Sequence, residues 1–179
     1  MMATVGFTTC DTWIGRLLLA ASPGGVCWVS LGEEDEVLES ELLMAFPNAE
    51  RAPDGSQLEG WAHQMVEYLD GQRHEIDLPL DVRGSLFQRR VWWTLRAIPY
   101  GKTRSYGEIA RSLGGETAPR AVARACASNT LALIIPCHRA LGQDGDLTGY
   151  RWGLGRKQLL LDRERQVSGA PVQLSMGLG

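Results

Sequence analysis

The 179-residue sequence predicts an α+β protein: a small acidic α/β scaffold, then a basic, mostly helical domain of helix-turn-helix type. Three observations carry that expectation. Apolar runs at 14–21 (IGRLLLAA) and 26–31 (VCWVSL) flank Ser22-Pro23-Gly24-Gly25 and read as a hairpin. Two capping boxes, Ser85 with Gln88 and Ser105 with Glu108, open helices in the second half. The charge is also divided. Residues 1–82 carry three basic and fifteen acidic side chains, a net of −12, whereas 83–179 carry fifteen basic and six acidic, a net of +9. The expected divisions are 1–82, 83–165 and a frayed tail at 166–179.

The elements follow in order. After the hairpin a helix is expected over about 34–46, with Val37, Leu38, Leu42 and Ala45 on one face, ending before Pro47. Leu58, Trp61, Ala62, Met65 and Leu69 recur at helical spacing over 56–70, and Gly71 stops that helix. Residues 76–80 (IDLPL) read as an edge strand because of Pro79. No residue of this half is expected to carry chemistry. The Ser85 helix should run to about Ile98, with Phe87, Val91, Leu95 and Ile98 inward and Pro99 ending it. The Ser105 helix should close at Gly114-Gly115, and Thr117 should cap a third helix with Pro119 in its first turn. Two short helices joined by a glycine turn, in a stretch (83–124) with nine basic and two acidic residues, suit a polyanion such as DNA.

Composition removes several classes. No apolar run reaches the roughly 18 residues a membrane helix needs. The N-terminus lacks the basic and apolar regions of a secretory signal, so a cytoplasmic address is expected. Cys10, Cys27, Cys126 and Cys137 show no CxxC spacing, which argues for free thiols and against zinc.

The chemistry concentrates in Ile134-Ile135-Pro136-Cys137-His138-Arg139. A thiol with an ordinary pKa of about 8.5 needs a base or a positive charge to become a nucleophile. His138 is adjacent in sequence, and a carboxylate elsewhere would orient it. A core cysteine beside an ordinary histidine is the competing reading of the bare pair.

The wider pattern resembles the O6-alkylguanine-DNA alkyltransferases. It comprises Asn129 followed by LALIIPCHR, then Gly149-Tyr150-Arg151-Trp152-Gly153, then Arg156-Lys157-x-x-Leu160-Leu161-x-x-Glu164. Upstream, FQRRVWWTLRAIPYGKTRSYGEIA and Pro119-Arg120-Ala121-Val122 extend it, so 85–165 is densely covered. SELLMAFPNA and DLPLDVRG are similar to the carboxyl-terminal half of bacterial Ada proteins. The resemblance implies a ribonuclease-H-like first domain and a winged-helix-like second one. It implies a single, irreversible transfer of an alkyl group from O6-alkylguanine in double-stranded DNA after base flipping, and leaves open whether O4-alkylthymine is also a substrate. Cys137 would accept the alkyl group, His138 would relay its proton through a water, Glu164 would orient His138, and Asn129 would brace the turn. Tyr106, with Gly107 beside it, would rotate the nucleotide and protonate the departing base. Arg120, with Ala121, would fill the vacated stack. Arg139, Tyr150, Arg151 and Trp152 would meet substrate or DNA. A monomer without metal or organic cofactor is implied, with no membrane partner.

Some positions depart from the family pattern. Thr130 and Ala132 stand where many members carry proline, which predicts a looser turn before the strand of Cys137. Arg151 and Trp152 replace small residues, which predicts a pocket too narrow for a benzyl group. No tetracysteine zinc site or activator-like domain precedes residue 1, so regulation of the Ada kind is not expected. A non-enzymatic helix-turn-helix regulator shares the charge and helices but has no use for Cys137, His138 and Glu164. A Cys-His hydrolase shares the thiol but not the arginine-rich helices.

Overall fold

The computed structural model describes residues 4–169. The expected hairpin forms: β2 (Gly15–Ser22) and β3 (Gly25–Gly32) pair antiparallel, with Ser22 opposite Gly25. Gly25 has φ +134°, and a Cβ there would meet the Pro79 carbonyl group at 2.5 Å; only glycine lets these backbones close. Leu17 and Leu19 of β2 enter one core cluster, and Leu18 and Ala20 enter another. An unbroken apolar run is what a strand covered on both faces requires. A strand that the sequence did not announce, β1 (Gly6–Thr12), pairs with β2 and carries the short β4 (Glu50–Arg51), giving the order β3-β2-β1-β4.

Helix α1 (Asp35–Ala45) covers one face through Leu38 and Leu42. Val37 and Ala45, expected beside them, are exposed. Helix α2 (Gln57–Leu69) covers the other face through Ala62, Met65, Tyr68 and Leu69, with Leu58 and Trp61 half-buried. Residues 76–80 do not form the expected strand. They supply a bridge from Leu80 to Val26, in which the Pro79 carbonyl accepts from Val26 N at 2.8 Å.

In the second half both capping boxes form, opening α3 (Leu86–Arg96) and α4 (Tyr106–Leu113). Val91, Trp92 and Leu95 are buried on α3, Ile98 just beyond it, and Phe87 only partly. In α5 (Pro119–Ala127) Pro119 takes the first turn as expected, but Ala118 is the N-cap. Thr117 donates its hydroxyl to the Gly114 carbonyl instead. Helix α6 (Leu154–Ser168) runs past residue 165, so the expected tail is helical up to Ser168. The rest of that tail, 170–179, lies outside the described residues. Short strands β5 (Arg104–Ser105) and β6 (Ala140–Leu141) pair parallel. Among the described residues no helix is long and apolar enough to cross a membrane.

The first half also positions the second. Val29 on the outer edge of β3 donates to the Thr130 carbonyl at 2.8 Å and accepts from Ala132 N at 3.1 Å. The segment leading to Cys137 is thus tied to the sheet. A proline at 132 could not donate this bond, so the replacement that predicted a looser turn supplies a tether.

Candidate active site

Cys137 lies on no strand; it begins a single 3₁₀ turn, Cys137–Arg139. The turn before it is braced by Asn129, which is fully buried. Its Nδ2 donates to the Ile135 carbonyl at 3.0 Å and to Cys137 Sγ at 3.2 Å, while its Oδ1 accepts from Leu131 N at 2.8 Å. One amide therefore fixes both the loop and the sulfur. Leu133 holds φ +70° in this loop, a conformation rare for a side chain of its size.

His138 is fully buried, and its Nε2 lies 2.6 Å from Glu164 Oε1. Burial opposes the charge on Glu164, but His138 and Arg139 overcome it and hold the carboxyl far below the usual carboxylate range. An anionic acceptor puts the imidazole proton on Nε2, leaving the Nδ1 lone pair free to act as a base. Burial also depresses the His138 pKa, despite the opposing pull of Glu164, so the ring is neutral near pH 7. Burial pushes the Cys137 thiol up, against the Asn129 hydrogen bond and the charge of Lys157. The resting group is a thiol with a neutral base next to it in the chain.

Arg139, expected to meet substrate or DNA, is not at the surface and does not line the cavity that opens onto Cys137. It is buried; its Nε and Nη2 each reach Glu164 at 2.9 Å, and Nη1 donates to the Ile98 carbonyl at 2.7 Å. Tyr68, from the half expected to carry no chemistry, donates to Glu164 Oε1 at 2.8 Å and accepts from Arg139 Nη2 at 2.7 Å. The Gly101 backbone N donates to Glu164 Oε2 at 3.1 Å. Lys157 is a second residue that sequence reasoning passed over. Fully buried, it donates from Nζ to the Ala140 carbonyl at 2.6 Å and to the Gly149 carbonyl at 3.1 Å, joining the Cys137 turn to the 149–153 loop. It stood in the Arg156-Lys157 motif, but nothing local marked it as buried.

A cavity of about 400 Å³ opens onto Cys137, lined also by Tyr106, Ala123, Cys126, Ala127 and the 148–151 loop. Tyr106 donates its hydroxyl to the Thr148 carbonyl at 2.9 Å, and burial lifts its pKa to about 12, so it remains a phenol. Tyr150 and Arg151 line the cavity as expected. Trp152 does not. Its indole is buried against Tyr150 and faces grooves formed with α1 and α6, among Leu31, Leu38 and Arg156. Gly107 sits in the first turn of α4, and exposed Arg120 with half-buried Ala121 in the first turn of α5; none of the three lines the cavity. Among the described residues no His/Cys/Asp/Glu cluster of metal-binding type occurs.

Comparisons with known proteins agree with this arrangement. The model for the 6-O-methylguanine DNA methyltransferase ribonuclease-like domain matches residues 5–82, and that for the DNA binding domain matches 86–166. The bifunctional transcriptional activator/DNA repair enzyme Ada of Escherichia coli K12 is 45% identical over 162 residues, 90% of this chain and 46% of Ada. The chain thus spans about half the length of that relative. The methylated-DNA–protein-cysteine methyltransferase of Mycobacterium tuberculosis H37Rv is 40% identical over 172 residues, covering 96% of this chain and 98% of the relative. The crystal structure of M. tuberculosis OGT in complex with DNA superposes with a TM-score of 0.79 at 39% identity, covering 90% of this chain and 94% of that one. With both halves matched by its models and a full-length relative at this identity, the chain belongs to the 6-O-methylguanine DNA methyltransferase family.

Proposed function

We propose that the protein repairs DNA by direct reversal, taking the alkyl group of O6-alkylguanine onto Cys137 once and irreversibly. The observation that carries this reading is Cys137 at the wall of a roughly 400 Å³ cavity, backed by the buried His138–Glu164 pair. The names of its relatives, which include methylated-DNA–protein-cysteine methyltransferases and a DNA complex, point the same way. A non-enzymatic regulator would have no need to bury an imidazole–carboxylate pair behind a cysteine.

Flipping the damaged nucleotide out of the stack costs a few kcal/mol, less where the lesion already weakens pairing. Arg120, exposed on α5, fills the gap, and the basic surface of 83–124 holds the phosphates. In the cavity the thiol proton moves to His138 Nδ1, through one water. The sulfur electron pair forms the S–C bond as the C–O6 bond breaks. Tyr106, still a phenol near neutral pH, supplies the proton that guanine carries away, and the thiol proton held by His138 is passed on through solvent to restore the phenol and the neutral imidazole. Residues 1–82 serve as scaffold and 83–165 carry the DNA contacts and nucleophile, with Tyr68 as the scaffold's contribution. Each chain contains the whole relay, which fits a monomer, and its four free cysteines fit the reducing cytoplasm.

The test is Cys137→Ser. Methyl transfer from O6-methylguanine DNA is expected to vanish while affinity for the same DNA persists, because an alcohol is a poor nucleophile here. Transfer retained by that variant would overturn the assignment.

A further inference from the structure

Two polar atoms beside the nucleophile have no hydrogen-bond partner in the protein. His138 Nδ1 and the Tyr150 hydroxyl are both sealed from solvent, and neither is bonded. The rings meet edge-on, with centroids 6.5 Å apart at 80°. An unpaired buried hydroxyl weakens a fold, so its presence at a reactive centre calls for a reason. Nδ1 has one as the base. Tyr150 has none in the steps described above.

The surroundings of Tyr150 restrict what its hydroxyl can do. Its ring lines the cavity together with Cys137. Burial, and then the neighbouring Cys137, Tyr68 and Glu164, suppress its ionisation, so it is a permanent O–H donor among those groups. Glu164 is already occupied by Tyr68, His138, Arg139 and the Gly101 backbone. Donation to His138 Nδ1 would block the base. Among these side-chain groups the acceptor left is the sulfur, which has one side-chain donor, Asn129, and gains negative charge during the reaction.

We propose that the Tyr150 hydroxyl is a second donor to the Cys137 sulfur, engaged as the thiol releases its proton. The proton goes to His138 Nδ1, the sulfur pair goes into the new S–C bond, and Tyr150 keeps its own proton throughout. It lowers the energy of the thiolate without adding or removing an atom. In the resting structure the hydroxyl is unbonded and Asn129 is the side-chain donor to the sulfur; the second contact forms as the sulfur gains charge.

The proposal rests on Cys137 as the acceptor, and its test reads the thiol independently of DNA. Tyr150→Phe removes an oxygen that holds no bond, so the melting temperature is expected to stay the same or rise. The pH profile of Cys137 alkylation by iodoacetamide, followed by peptide mass mapping, is expected to move to higher pH. Single-turnover methyl transfer is expected to fall about tenfold, with affinity for unmethylated duplex unchanged. Tyr150→Leu, which also lacks the ring, is expected to show at least the same shift in the profile. Alkylation profiles of both variants that superimpose on that of the unmodified protein would overturn the proposal. A failure of the unmodified protein to take a methyl group would instead remove the repair reading, leaving the role of Tyr150 to the thiol titration.

Discussion

Glu164→Gln removes one charge from the centre of a buried network, and the structure sets the scale of the damage. Glu164 Oε1 accepts from Tyr68, His138 and Arg139, and Oε2 from Arg139 and Gly101 N. An amide offers one acceptor oxygen and turns two N–H bonds toward groups that are themselves donors. It also leaves the buried Arg139 guanidinium without a counter-ion. Breaking a buried ion pair on one side costs about 3–5 kcal/mol. At this chain length each kcal/mol lowers the melting temperature by about 2–4 °C, so a fall of about 6–20 °C is expected. His138 would lose the acceptor that fixes its tautomer, and methyl transfer should slow by about two orders of magnitude, the usual contribution of a positioned base. Thermal melts and single-turnover assays, run well below the variant's melting temperature, measure the two effects separately. Adding Arg139→Met should recover part of the lost stability by removing the stranded cation. A melting temperature within about 3 °C of the unmodified protein, or strictly additive losses in the double variant, would refute the network as described.

Three further outcomes are expected. Because Arg151 lines the cavity and Trp152 does not, Arg151→Ala should speed reaction with O6-benzylguanine, whereas Trp152→Phe should leave the methyl-to-benzyl rate ratio unchanged; the reverse result would restore the indole as the steric wall. His138 and Glu164 both have folded pKa values below their ordinary 6.5 and 4.5, so the unfolded chain binds more protons as pH falls. Their stabilisation is complete above pH 6.5, is lost first from His138 and then, below 4.5, from Glu164; a melting temperature that stays flat or rises between about pH 7.5 and about pH 4 would contradict this. Arg120→Ala should slow repair in duplex DNA far more than reaction with the free modified base, and equal losses on both would deny Arg120 a part in holding the flipped state.

What the sequence disclosed was local. The boxes at Ser85/Gln88 and Ser105/Glu108 bond within four residues and could be read directly, as could the hairpin at Ser22–Gly25. The motif around Cys137 marked the reactive loop for the same reason. What stayed hidden depends on distant partners. Tyr68 and Glu164 are 96 residues apart, and Arg139 reads as a surface cation until the fold brings Glu164 beneath it. Strand β1 mixes small and polar residues and is made a strand by pairing with β2. Trp152 lay in the right loop, but a period-free segment does not disclose which way its side chains turn. Lys157 shows the same limit: two carbonyls from different segments make its burial tolerable, and neither is visible from Arg156-Lys157 alone.

The central claim is that Cys137 itself becomes alkylated. Intact-mass measurement after incubation with one equivalent of O6-methylguanine duplex, followed by peptide mapping, tests it most directly. The expected result is a gain of one methyl group per chain, carried by the peptide containing Cys137, with no further gain when more damaged DNA is added. An unchanged mass, a methyl group mapped to Cys126, or turnover beyond one equivalent would contradict the account.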